Sequence, residues 1–144
     1  MLEREQIIQE LWRRIAGVSG VKFTARNPSV PPSSENVPSI EFFELPDNVT
    51  DTTTWGGVPV MKRKLQVAIE VFIAGSKDSA ASKELMAFVK TVKAALYAGG
   101  PTFGGLCSWK EVEASRVMRP ETGANLAGIG IVIEIMYVED ASKQ

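Results

Sequence analysis

No histidine occurs anywhere in the 144 residues, and cysteine occurs once, at Cys107. The first absence removes the side chain that most often moves protons near neutral pH and the commonest nitrogen ligand for metals. Histidine-based triads and histidine zinc sites are therefore excluded. The second absence rules out an intrachain disulfide and points to a reducing compartment. Cys107 has no histidine to activate its thiol and lies between Leu106 and Trp109 in a glycine-rich stretch, so it reads as a packed apolar residue and not a nucleophile. No apolar run reaches the length of a membrane span, and the opening Met1 to Gln6 lacks the basic start and apolar centre of a signal peptide. The chain is expected to be soluble, to stay where it is made and to have no membrane partner. An excess of one charge is also missing: 16 basic and 17 acidic residues are interspersed, giving a net charge of −1. With no basic stripe to release counterions from phosphates, a dedicated nucleic-acid binder is disfavoured.

What is present fits an ordinary globular unit. A hydrophobic share of 44% and a charged share of 23% are close to globular averages, and the length suits a single domain spanning residues 1–144. The clearest pattern runs from Met61 to Gly100. Leu65, Val67, Ile69, Val71 and Ile73 alternate with Gln66, Ala68, Glu70 and Phe72, the period of a strand with one buried face. After a short polar turn, Leu85, Phe88, Val89, Val92 and Leu96 recur at helical spacing, with Lys83, Ala87, Lys90 and Ala94 opposite. Asp78 or Ser79 can cap that helix, and Gly99-Gly100-Pro101 can end it.

Before this unit, residues 2–16 predict a helix with Ile8, Leu11, Trp12 and Ile15 inward and Arg13 and Arg14 largely outward, ending at Gly17. A short strand over 21–26 follows. Residues 27–39 hold four prolines and four serines and predict a mobile surface loop. Ile40–Leu45 reads as a strand, and residues 46–60 as a hairpin arm leading into the Met61–Ile73 strand. Beyond the second helix, Pro101–Gly105 is a glycine-rich turn. Trp109–Met118 is a strand whose alternation breaks at Arg116 and Val117, which a β-bulge would restore. The last strand, Ala127–Val138, places Ile129, Ile131, Ile133 and Ile135 on one face, and the tail from Glu139 is expected to fray. The order α-β-β-β-α-β-β predicts an α+β two-layer sandwich, a mainly antiparallel sheet with two helices on one face.

Motifs for chemistry are sparse. The glycine clusters at 99–105 and 128–130 do not open a helix and carry no lysine-serine or lysine-threonine pair, so they are not phosphate loops. Asp47 and Asp51 share a loop but lack the remaining spacing of a calcium site. Asn48-Val49-Thr50 matches a glycosylation acceptor without a secretory signal and is read as chance. No catalytic, cofactor-binding or metal-ligating residue is assigned, and a carboxylate or cysteine enzyme ranks low. Candidate contacts stand out more. Trp55, at the hairpin tip, either folds back onto the domain or meets a partner. Glu70 and Phe72, with Glu134 and Met136, lie on the sheet face away from the isoleucines, which either docks a partner or is covered by the long loops. Met86, Lys90 and Tyr97 flank the second helix and form a second patch. Two different patches on one small chain suit head-to-tail association into a ring.

The helix containing Ile7-Ile8-Gln9-Glu10-Leu11, the proline-containing loop before Val37-Pro38-Ser39-Ile40, and the strand Arg63 to Phe72 together resemble the tail terminator proteins of long-tailed bacteriophages. The helix Ser82–Tyr97 and the closing strand Gly130–Val138 complete the resemblance, which covers most of the chain and extends to related tail-tube, tail-completion and head-closure proteins. It implies a non-enzymatic virion protein without cofactors, assembled in the host cytoplasm. It implies a homo-oligomer, a hexameric ring at the head-proximal end of the tail tube, that stops tube growth and offers a surface to a head completion or connector protein. DNA would only pass through the lumen. Under this resemblance Glu44, Asp47 and Asp51 are expected to face the lumen or the tube. A bacterial α+β module that binds a small molecule or a protein is the alternative.

Overall fold

The computed structural model describes residues 3–29, 35–55, 57–74, 79–98, 108–118 and 126–140. Two long strands form its spine because their sequences alternate in step. β4 (Val58–Ala74) and β6 (Leu126–Asp140) run antiparallel from the Val60–Asp140 pair to the Ala74–Leu126 pair. Leu65 faces Ile135, Val67 faces Ile133, Ile69 faces Ile131 and Val71 faces Ile129, so one side of the ladder is continuously aliphatic. A one-residue slip would exchange that side for Gln66, Glu70 and Glu134, so burial specifies the register strongly.

Two helices cover the aliphatic side. α1 (Glu3–Ala16) contributes Ile7, Ile8, Leu11 and Ile15, and α2 (Ser79–Tyr97) contributes Leu85, Val89, Val92 and Leu96, all buried in one core with the β4 and β6 residues. Arg14 departs from the expected outward position. It is buried, and its guanidinium donates to the Leu96 carbonyl at 2.6 Å, near the end of α2 where orphan carbonyls favour a cation. Trp12 departs the other way: it is partly exposed, with its ring edge against Phe42 at a centroid distance of 5.5 Å. α1 ends just before Gly17 as expected, while the left-handed turn residue is Gly20 (φ 88°).

The six-stranded sheet has the order β1-β2-β4-β6-β5, with β3 pairing β4 alone. β1 (Phe23–Arg26) runs parallel to β2 (Ser39–Glu44), and the remaining pairs are antiparallel. The fold is thus an α+β two-layer sandwich in the expected order with one strand added, because the arm at 46–60 is itself a ladder: β3 (Asn48–Trp55) pairs with residues 58–64 of β4. β5 (Ser108–Met118) shifts register on β6 between Glu111 and Glu113 and again between Glu113 and Arg116, next to the expected bulge. The first two residues of the expected frayed tail differ from expectation, and residues 141–144 lie outside the described residues. β6 continues to Asp140, and buried Glu139 accepts an ion pair from Arg63 at 3.0 Å, which ties this end down. The caps expected at Asp78 and Gly99–Pro101, the turn at 101–105, Cys107 and residues 30–34 of the proline-rich loop lie outside the described residues.

Candidate functional site

The expected contact residues fall into three places. The first is a charge cluster beside the start of α1, on the helix side of the sheet. β2 alternates so that Ile40 and Phe42 enter the core and Glu44, next in phase, arrives at the edge of α1. Arg26, in phase on β1, donates to Glu44 at 2.8 and 3.1 Å and to Glu5 of α1 at 2.7 and 3.1 Å. Arg4 reaches Glu44 at 3.3 Å and Asp47 at 3.0 Å, and Arg63 lies 3.9 Å from Asp47. Asn27, in the left-handed conformation (φ 48°), donates its side-chain amide to Glu44 and accepts the Glu44 backbone N–H. Tyr137 donates its hydroxyl to Asp47.

Burial alone would raise the Glu44 pKa, but hydrogen bonds from Arg26, Asn27 and Arg4 and the Arg26 charge outweigh it and hold the carboxyl below its ordinary value. The Arg26 hydrogen bonds likewise lower Glu5. The Tyr137 hydroxyl is raised, by burial first and then by Asp47. Glu44 and Asp47, expected to face a lumen or tube, have side chains only 8% and 7% exposed and matched by arginines. Their role within the chain is to anchor α1 and the β2–β3 corner. For Asp51, only its backbone pairing with Lys62 is described.

The second place is the sheet face away from the helices. Met136 is partly exposed and Val138 half exposed, beside Lys64 and Lys62 on β4. Glu134 is mostly buried and paired with Lys64 at 3.4 Å. Phe72, expected as an exposed contact, is 6% exposed. It packs against Val37, from the segment leading into β2, and its ring lies over Gly128. A Cβ at residue 128 would come within 2.7 Å of that ring, so glycine is what lets the phenyl lie flat on β6. Here the loop folds over the sheet, and Phe72 belongs to the fold and not to a contact surface. Glu70 is half-buried, and Glu41 of β2 stands directly across from it. Glu41 is 2% exposed, and burial, then the Glu70 charge, push its pKa up to about 7; burial raises Glu70 as well.

The third place is the outward side of α2. Met86 is 54% and Tyr97 49% exposed, with Lys83 and Lys90 exposed beside them. Tyr97 stacks one side of its ring on Trp109 of β5 at 4.7 Å, which holds it in place. Lys93, on the flank of α2, is drawn to Glu111 at 3.2 Å. Trp55 ends β3, where it pairs with Val58; its side chain lies outside the described part.

The structure therefore does not bring the expected residues together into one site. It puts Met136 with Val138 on one side of the sandwich and Met86, Lys90 and Tyr97 on the other. Reading the sequence missed Arg4, Arg26 and Arg63 as partners of the carboxylates, and missed Glu41. Alternation in Ile40–Leu45 already placed Glu41 on the face of Ser39 and Phe43, but nothing local showed that this face is covered there. Among the described residues, no group of three or more carboxylate or thiol side chains could hold a metal ion. No described helix is long and apolar enough to cross a membrane.

No protein-family model matches the chain, and no curated protein matches it. Among solved structures, the chain is similar to one described as "Virion of native gene transfer agent (GTA) particle", at 15% identity and a TM-score of 0.46, over 92% of this chain and 91% of that one.

Proposed function

We propose that this chain is a structural protein of a phage-type tail, which forms a ring on the end of the tail tube, stops its growth and offers the head-joining surface. The observation that carries the reading is the placement of two unlike apolar surfaces on opposite sides of one sandwich. Exposed Met86 and Tyr97 lie on α2, and exposed Met136 and Val138 lie on the open sheet face. A heterologous contact joins two different patches, and such contacts close into rings when the rotation allows. The resemblance of the α1, β4, α2 and β6 sequences to tail terminators supplies the role of such a ring, with tube protein on one side and a head completion or connector protein on the other. In this reading Trp55, which ends β3 at the far end of the β3–β4 arm, meets one of these neighbours. Nothing in this role calls for an active site or a cofactor.

The test is polymerisation of tail tubes with and without the protein, followed by negative-stain imaging and light scattering. Tubes of limited length with a ring at one end are the expected result. Tubes that keep lengthening without a cap overturn the reading, and binding to heads without any effect on tube growth replaces it with a head-closure role.

A further inference from the structure

Glu41 and Glu70 are cross-strand partners on β2 and β4, both pointing away from the helices. The Glu41 Oε1 is buried without a hydrogen-bond partner, and so is the Oγ of Ser39, two residues earlier on the same side of β2. On the far side of Glu70 the register partner is Gly130, which contributes no side chain. Among the described side chains, no charged residue of the surrounding elements compensates the pair. Lys22, before β1, is exposed, as is Glu35 ahead of β2. Glu134 on β6 is committed to Lys64. For Arg116 on β5, only the backbone pairing with Gly130 is described. No ion pair or hydrogen bond from the described residues reaches either carboxylate.

A buried carboxylate set against a half-buried one, with no cation on them among the described side chains, favours keeping one of the two neutral. We propose that Glu41 and Glu70 share one proton in the folded protein, and that losing it loosens the outer strands β1 and β2 from β4. Like charges directly opposite on neighbouring strands weaken their pairing, and this pair lies inside the β2–β4 ladder. Beyond it, β1 has four residues and pairs with β2 alone, its far end tied by Arg26 to Glu44 and Glu5. The segment entering β2 is fastened by Val37 on Phe72 and by the Lys22 N–H donating to the Pro38 carbonyl at 2.8 Å. The raised pKa of Glu41 sets the range. An acid raised in the folded state contributes stability that is whole below its unfolded pKa and is lost as pH climbs through the folded value, here from 4.5 to about 7. Two carboxylates coupled this closely titrate as a pair, so the near-neutral step belongs to both. The device is independent of ring formation.

The experiment follows the glutamate carboxyl carbons of the full chain by NMR from pH 4 to 9, with Glu41→Gln and Glu70→Gln for assignment. Backbone amide exchange of β2 is measured alongside at pH 6 and 8 and corrected for intrinsic rate. One carboxyl titrating near neutrality, with β2 amides opening at least about threefold more at pH 8, is the expected result. Both substitutions should abolish that gain, and Glu70→Gln serves alone should Glu41→Gln fail to fold. Two carboxyls titrating between about 4 and 5 overturn the shared proton, and a smaller gain in β2 opening overturns its coupling to the outer strands.

Discussion

Arg26 is the residue whose loss should tell most about how this chain holds together. Its guanidinium joins α1 to the sheet, bonding Glu5 on one side and Glu44 on the other through four contacts of 2.7 to 3.1 Å. The two halves are unequal. Glu5 is 39% exposed at its side chain, so that pair is screened and is worth at most about 0.5 kcal/mol. Glu44 is nearly enclosed, and Arg26→Met leaves it with Arg4 and Asn27 alone. Removing one partner of a fully buried ion pair costs about 3–5 kcal/mol, and Arg26 is itself partly exposed, so roughly 2–3 kcal/mol is expected in all. At roughly 4 °C per kcal/mol for a chain of this size, thermal unfolding followed by circular dichroism should shift down by roughly 8–12 °C. The acid limb gives an independent check. Glu5 and Glu44 have lowered folded pKa values, so their contribution is present above 4.5 and lost as pH falls through the folded values. Arg26→Met should therefore lose less stability than the parent between neutral pH and pH 3. In Arg26→Met with Glu44→Gln the total loss should fall well short of the sum, because no buried charge is stranded. A single-variant cost below about 0.5 kcal/mol, or strict additivity in the cycle, refutes the anchoring argument.

Other perturbations follow from the same geometry. Gly128→Ala drives a methyl into the Phe72 ring and should cost about 1–3 kcal/mol by denaturant unfolding, with Phe72→Ala partly relieving it. Phe72→Asp should unfold the chain and not merely block assembly, since the ring is buried under Val37; a folded, assembly-defective protein would refute that placement. Arg14→Met removes the donor to the Leu96 carbonyl and should cost about 1–3 kcal/mol, read as faster amide exchange at the end of α2. Met86→Glu and Met136→Glu, on exposed sites, should each change stability by less than about 0.5 kcal/mol yet abolish ring formation in light scattering. Normal rings from both would remove these patches from the interface.

Much of the fold was legible because its signals are local. Strict alternation in Leu65–Ile73 and Ile129–Ile135 identifies two strands and the side each buries, and helical spacing in α1 and α2 identifies what lies on that side. Alternation says only that a residue faces away from the helices, and not whether that face is wet. Phe72, Glu41 and Glu134 all face away, and all are largely buried, because a segment remote from β4 in sequence returns over Phe72 and a lysine on the neighbouring strand reaches Glu134. Met136 and Val138 share that parity and stay exposed.

Charge behaves the same way. The balance of signs, the missing histidine and the lone cysteine are properties of the chain as written, and they narrow the chemistry without any structure. Which carboxylate meets which arginine is decided by strand order. β2 inserts between β1 and β4, which brings Arg26 beside Glu44, and α1 lies across that edge, which brings Arg4 to residues 40 and 43 positions away in sequence. The sequence by itself thus determined the elements, their buried sides and the α+β class, since each follows from backbone periodicity and apolar burial. Only the tertiary structure decided that Glu44 and Asp47 are neutralised anchors, that Glu41 and Glu70 are neighbours, and that the exposed apolar surfaces lie on opposite sides. Those facts depend on pairings between distant segments, which no local pattern encodes.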